Sequence, residues 1–141
     1  MLFRSLDIGA EKVKPDFRGL QEIHRRKTGA LLTASVKAGA ILAGAGEQKI
    51  SALAKFGHHV GMAFQIADDV LNIEGDAELM GKSTGSDAAM GKVTYPSLLG
   101  LDAAKTNLAQ HVEQAIDSID AFDARALPLR VIARYIMDRK M

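Results

Sequence analysis

The sequence predicts an all-α fold. Apolar residues recur mainly at three- and four-residue spacing along its 141 residues, which is the period of a buried helix face. No segment carries a competing strand pattern, and glycines and prolines stand mainly where the periodic segments begin or end. A chain of this length can bury one core, so we expect a single unit over residues 1–141.

The composition narrows the possible functions. Lys and Arg (18) nearly balance Asp and Glu (17), which favours neither a nucleic-acid partner nor a membrane surface. The chain has no cysteine, so disulfides, thiolate metal sites and cysteine nucleophiles are excluded. No window reaches the roughly 20 apolar residues that a spanning helix needs. We therefore expect no membrane insertion and a cytoplasmic location.

The first two predicted helices fill the chain up to Gly75. Pro15 and Asp16 form a helix-start signal, with Asp16 as the N-cap, and one long helix or two collinear ones should follow to about 44–46. A second helix is predicted from about Gln48 to Ile73, with Gly75 ending it.

A long loop and two further helices complete the prediction. Residues 75–94 are rich in Gly, Ser, Asp and Lys, and loops of this length are usually functional or disordered. The next helix should run over about 96–122, with a possible break near Gly100. The last should run over about 127–139 and tolerate Pro128 in its first turn.

Four polar residues share one stripe of the second predicted helix, because they are spaced by three and four: Gln65, Asp68, Asp69 and Asn72. Gly57 and Gly61 should continue this stripe without side chains. Adjacent carboxylates in an apolar helix repel each other and need water or a cation. Oxygen ligands of this kind suit Mg²⁺, which takes one or two carboxylates together with phosphate oxygens.

Several lysines could complete such a site. Lys27 and Thr28 are predicted mid-helix beside Gly29, while Lys82 and Lys92 lie in the long loop. A lysine can neutralise phosphate as a point charge and a hydroxyl can donate a hydrogen bond. For the aspartate pair alone, a solvated helix face is the other interpretation. The combination predicts a magnesium diphosphate site.

Four segments of the sequence, in this order, resemble bacterial farnesyl and geranyl diphosphate synthases of the polyprenyl diphosphate synthase family. They are IHRRKTGALL (23–32), GMAFQIADDVLNIEGD (61–76), MGKSTGSDAAMGKVTYPSLLGL (80–101) and YIMDRK (135–140). The resemblance implies a helical bundle corresponding to the C-terminal half of the isoprenoid synthase fold. ADDVLNIEGD matches the second of the family's two aspartate-rich motifs.

This resemblance assigns roles to individual residues. It implies that Asp68 binds Mg²⁺ directly, while Asp69 and Asn72 act mostly through bound water. The family reaction ionises an allylic diphosphate, and the double bond of isopentenyl diphosphate then attacks the resulting carbocation.

The remaining predicted site residues would act on the allylic substrate. The resemblance implies that Lys27, Lys82 and Lys92 hold its diphosphate. Thr28 and Gln65 would line the site near the reacting carbon, and with Lys27 they are the candidate catalytic residues.

The sequence departs from the family in two ways. Asn72 replaces the last aspartate of the second motif, which keeps an acceptor oxygen but removes a charge. The half with the first aspartate-rich motif and the isopentenyl diphosphate site is missing, so we expect a truncated enzyme with weak or no activity alone. Uncovered apolar faces should favour a homo-oligomer or association with another prenyl synthase chain.

Two other functions are open from the sequence. The chain could be a non-catalytic helical partner or regulator of a full-length prenyl synthase, or a purely structural bundle. The histidines give no site, because His58 and His59 point about 100° apart on a helix and His111 is expected on a solvated face.

Overall fold

The computed structural model describes residues 16–80 and 93–139, with the side chains of 75–80 excepted. Within these ranges every regular element is helical and no strand occurs, so the all-α prediction is confirmed. The elements are α1 (Phe17–His24), a π-helical turn (Arg25–Gly29), α2 (Ala30–Leu42), α3 (Glu47–Met80), α4 (Tyr95–Leu99), α5 (Leu101–Ser118), a 3₁₀ turn (Ala124–Ala126) and α6 (Leu127–Asp138).

The first predicted helix is a continuous helical segment from 17 to 42, but a π-helical turn divides it. Asp16 caps its N-terminus as predicted, because its side chain accepts a hydrogen bond of 2.8 Å from the backbone N–H of Gly19. The segment ends just before Gly44, whose φ of 68° suits a residue without a side chain. The π-helical turn was not predicted, and it contains Lys27 and Thr28.

Helix α3 is longer than the sequence pattern predicted. The expectation that Gly75 ends this helix is wrong, since α3 continues to Met80. A glycine inside a helix costs only about 1 kcal/mol relative to alanine. The long loop predicted from residue 75 therefore begins no earlier than residue 81, and residues 81–92 lie outside the described ranges.

Helix α3 is the centre of the molecule, since it contacts every other described α-helix, and α5 and α2 most extensively. Its buried residues include Phe56, Val60 and Ile66, which form one core cluster with Leu108 and Val112 of α5. The core thus lies along the helix that carries the predicted aspartates.

The expectation that Gly57 and Gly61 form a bare part of the polar stripe is wrong, because other residues cover both glycines. A Cβ at Gly57 would lie 2.7 Å from the Cα of Thr33 in α2, and one at Gly61 would clash with the Cα of Gly29 in the π-helical turn. Both glycines therefore allow the backbones of α2 and of the π-helical turn to contact the backbone of α3. This contact fixes the π-helical turn on the face of α3.

The C-terminal helices largely follow the prediction. Thr94 and Ser97 form a capping box at the start of α4, and the predicted break occurs at Gly100, with a φ of 85°. Helix α5 ends at Ser118 rather than near 122. Arg130 of α6 stabilises the segment after α5, because its guanidinium donates hydrogen bonds to the backbone carbonyls of Ile119, Phe122 and Asp123.

Apolar side chains remain exposed on α6. Leu127, Val131 and Tyr135 are spaced by four residues and are 59%, 55% and 66% exposed. They form a stripe along one face of the helix. None of the described helices has the length and apolarity needed to cross a membrane.

Candidate functional site

All four polar residues predicted to share a stripe lie in the second half of α3. Asp68 is exposed, whereas Gln65, Asp69 and Asn72 are half-buried. The difference between the two adjacent aspartates follows from the turn of about 100° between neighbouring helix positions. Each aspartate consequently faces different parts of the fold.

Asp69 faces α1 and α4. Its Oδ2 accepts a hydrogen bond of 2.9 Å from the backbone N–H of Tyr95, the first residue of α4. The Nε2 of His24, at the end of α1, lies 3.8 Å from the same oxygen. With only 14% of its side chain exposed, Asp69 is held between three helices.

Asp68 faces the C-terminal end of the described chain. Its Oδ1 accepts a hydrogen bond from Nη2 of Arg139, and 47% of its side chain is exposed. The guanidinium also lies over the ring of Phe64, with 4.6 Å between Cζ and the ring centroid. This pairing identifies a position beside Asp68 that accepts positive charge.

Lys27 and Thr28 lie in the π-helical turn that packs on α3. Lys27 is exposed and Thr28 is half-buried. Such turns place an extra residue in one helical turn and change the direction of the following side chains, and they occur often at functional sites. The turn packs on α3 about two helical turns before Asp68, since the backbones of Gly29 and Gly61 touch. Lys82 and Lys92 lie outside the described residues.

The donor set fits Mg²⁺ that is shared with phosphate. In the parts of the chain that the structure describes, no group of three or more His, Asp or Glu side chains could hold a metal ion by itself. Mg²⁺ typically takes one or two carboxylates and completes its coordination with water and substrate phosphates. The exposed carboxylate of Asp68 and the oxygens of Asp69 and Asn72 are consistent with that mode.

A histidine pair lies away from the aspartates and was missed in the sequence. Nδ1 of His59 in α3 lies 3.1 Å from Nδ1 of His111 in α5, so one ring donates a hydrogen bond and the other accepts it. Both rings are half-buried, and the expectation of a solvated His111 is wrong. Desolvation, with the nearby charges of His59 and His58, lowers the pKa of His111 to about 4.

Three site residues had only weak signals in the sequence. His24 precedes Lys27 by three residues, Tyr95 follows the predicted long loop, and Arg139 directly follows the last helix. Nothing in local periodicity connects them with α3, because their contacts depend on packing between distant segments. Spacing finds residues of one helix that face the same way, but not their partners from other helices.

Solved structures place this architecture in the isoprenoid synthase fold. Heptaprenyl diphosphate synthase from Staphylococcus aureus superposes with a TM-score of 0.87 at 20% identity, covering 99% of this chain and 57% of that one, which shows the fold alone. A geranyltransferase from Helicobacter pylori, solved with magnesium and isoprenyl diphosphate, superposes with a TM-score of 0.72 at 26% identity, covering 97% and 45%.

Sequence comparison establishes the family. The polyprenyl synthetase family model matches residues 4–126, so the chain belongs to the polyprenyl synthetase family. It is 38% identical over 140 residues to the farnesyl diphosphate synthase of Escherichia coli (strain K12), with 96% of this chain and 47% of that enzyme covered. The chain thus spans about half the length of this curated relative.

Proposed function

We propose that this chain carries half of a prenyl diphosphate synthase active site and uses it to bind an allylic diphosphate together with Mg²⁺. The observation that carries the proposal is the exposed carboxylate of Asp68, which is paired with the guanidinium of Arg139. Asp68 lies on α3, the helix against which the turn with Lys27 packs. A metal-diphosphate site needs this combination of a carboxylate that accepts a cation and a neighbouring lysine.

In this proposal the predicted residues form a metal-binding group and a phosphate-binding group. Asp68 would hold Mg²⁺ directly, with Asp69 and Asn72 acting mostly through ordered water. When bound, Mg²⁺ neutralises negative charge that develops on the departing diphosphate. Lys27 contributes a further positive charge to the phosphate oxygens, and Lys82 and Lys92 are proposed to do the same.

The reacting part of the substrate would lie near the π-helical turn. Thr28 offers a hydroxyl there, and Gln65 offers an amide on the adjoining face of α3. The proposed reaction breaks the allylic carbon–oxygen bond, forms a carbon–carbon bond to isopentenyl diphosphate, and passes the released proton to the leaving diphosphate. This requires stabilisation of charge but no protein nucleophile.

Complete turnover needs more than the described residues. The chain spans 47% of the Escherichia coli relative, and the resemblance assigns the isopentenyl diphosphate site and the first aspartate-rich motif to the remainder. We therefore expect these residues to bind the allylic diphosphate, and condensation to require the parts that the resemblance assigns to the remainder. The magnesium in the Helicobacter pylori geranyltransferase structure supports the choice of metal.

Calorimetric titration tests the proposal directly. The purified chain is titrated with a non-hydrolysable allylic diphosphate analogue, with and without Mg²⁺. We expect binding that depends on Mg²⁺ and is lost in Asp68→Ala. Asp117→Ala, which removes an exposed carboxylate from α5, is the matched control and should bind as the wild type does. Binding that is absent, or unaffected by Asp68→Ala, would contradict the proposed site and favour a non-catalytic partner of a prenyl synthase.

A further inference from the structure

His24 occupies an unusual position for a polar side chain. It is 5% exposed, and in the part of the chain that the structure describes only one other polar residue, Thr94, is classed as buried. Its ring stacks on Tyr95, with centroids 5.5 Å apart and planes inclined by 19°. Phe17 packs edge-on against Tyr95, with 5.3 Å between the ring centroids. The aromatic cluster joins the start and end of α1 to the start of α4.

The same cluster reaches the carboxylate of Asp69. Nε2 of His24 lies 3.8 Å from Oδ2 of Asp69, and the backbone N–H of Tyr95 donates to this oxygen at 2.9 Å. A single carboxylate oxygen is thus contacted from α1 and from α4. Such contacts restrict the rotation of the carboxylate, as outer hydrogen-bond partners do around metal ligands.

His24 also adjoins the turn that carries the proposed phosphate ligand. It is the last residue of α1, and Lys27 follows three residues later in the π-helical turn. A shift of the His24 backbone would therefore be passed to this turn, which begins at the next residue. Packing alone does not require a nitrogen atom here, since a phenylalanine ring could stack on Tyr95 equally well, and burying a polar ring carries a cost.

We propose that His24 is a positioning residue that holds the Asp69 carboxylate and the Lys27 turn in register, and so sets the affinity of the site for Mg²⁺ and diphosphate. This inference rests on the proposed function, although the contact with Asp69 can be tested separately. His24 touches neither reacting atom and acts only through Asp69 and the turn.

Substitutions that separate the ring from its nitrogen atoms test the inference. His24→Phe keeps the stacking surface and removes Nε2, while His24→Gln places an amide nitrogen near the position of Nε2. His111→Phe is the matched control, because it removes a histidine from the core-facing side of α5 away from the aspartates. If His24→Phe does not fold, His24→Met provides an apolar side chain without nitrogen.

Two measurements are made on each variant. The first is hydrogen exchange of the Tyr95 amide, followed by NMR, which reports the hydrogen bond to Asp69 without any ligand. The second is calorimetric affinity for the allylic diphosphate analogue in the presence of Mg²⁺. For His24→Phe we expect several-fold faster exchange and about tenfold weaker binding, the lower end of the range for outer-shell substitutions. His24→Gln should restore part of both, and the control should change neither.

The two proposals fail in different ways. Unchanged Tyr95 exchange and unchanged affinity in His24→Phe would overturn the positioning role. An equal loss in His24→Phe and His24→Gln would also overturn it, because a nitrogen near the position of Nε2 would then make no difference. If the wild type does not bind the analogue with Mg²⁺, the proposed function fails, while faster exchange in His24→Phe would still support the contact with Asp69.

Discussion

Lowering the pH from 7.5 to 5 should destabilise the fold through the histidine pair between α3 and α5. Burial lowers the pKa of His111 to about 4 from its ordinary value of 6.5, and desolvation also lowers the pKa of His59. The folded chain therefore binds fewer protons than the unfolded chain between these pH values. Stability from this group is present above pH 6.5 and is lost as the pH falls toward 4.

The magnitude follows from the shift of His111. Linkage between pKa values of 6.5 and about 4 gives a loss of about 2 kcal/mol at pH 5 relative to pH 7.5. The ring is only partly shielded from solvent, so we halve this to about 1 kcal/mol. The positive charges of Lys55 near His59 and of Arg25 near His58 act in the same direction, because they disfavour protonation in the folded state.

Urea unfolding at pH 7.5 and pH 5 measures this effect. A loss of about 1 kcal/mol lowers the midpoint by about 0.5–1 M urea for typical denaturant slopes. His111→Gln removes the titrating ring, so its midpoint should change less between the two pH values than that of the wild type. An identical pH dependence in both proteins would refute the reasoning. The carboxylates add little in this window, because their ordinary pKa values lie below 5.

Three further predictions concern packing. Gly61→Ala places a methyl group against the backbone of the π-helical turn, so we expect the free energy of unfolding in urea to fall by about 2 kcal/mol. The control Gly39→Ala has open space around it and should be neutral or stabilising. Arg130→Met removes three hydrogen bonds to carbonyls and should cost about 1–3 kcal/mol, with the exposed Arg134→Met as the unaffected control in the same assay. We also expect concentration-dependent self-association in analytical ultracentrifugation, weakened by Val131→Asp in the exposed apolar stripe of α6; a monomer at all concentrations would contradict it.

The helices themselves were largely predictable because their signals are local. Asp16 caps α1 through a hydrogen bond within its own helix, and Gly100 interrupts the helix through its own φ angle. Gly75 misled the prediction because a glycine marks a helix end only when the following residues cannot continue the helix. The signal at a single residue was weaker than the preference of the residues around it.

The candidate site was predictable only where its residues share one helix. Asp68, Asp69 and Asn72 are related by helical spacing, so the stripe could be found without a structure. The contacts of Asp69 with His24 and Tyr95 join residues that are 45 and 26 positions away, and the pair of His59 and His111 spans 52 positions. No periodicity encodes such contacts, since they depend on how the helices pack.

The two aspartates show why this packing matters for function. They are adjacent in sequence and chemically identical, yet 47% of the Asp68 side chain is exposed and only 14% of the Asp69 side chain. Asp68 can accept another cation from solvent in place of the guanidinium of Arg139, because almost half of its own side chain is exposed. Asp69 cannot change its partner as freely, because its Oδ2 also holds the first N–H of α4. In the proposed site, Asp68 would therefore be the carboxylate that takes up and releases the cation, while Asp69 would keep a fixed orientation and act through ordered water.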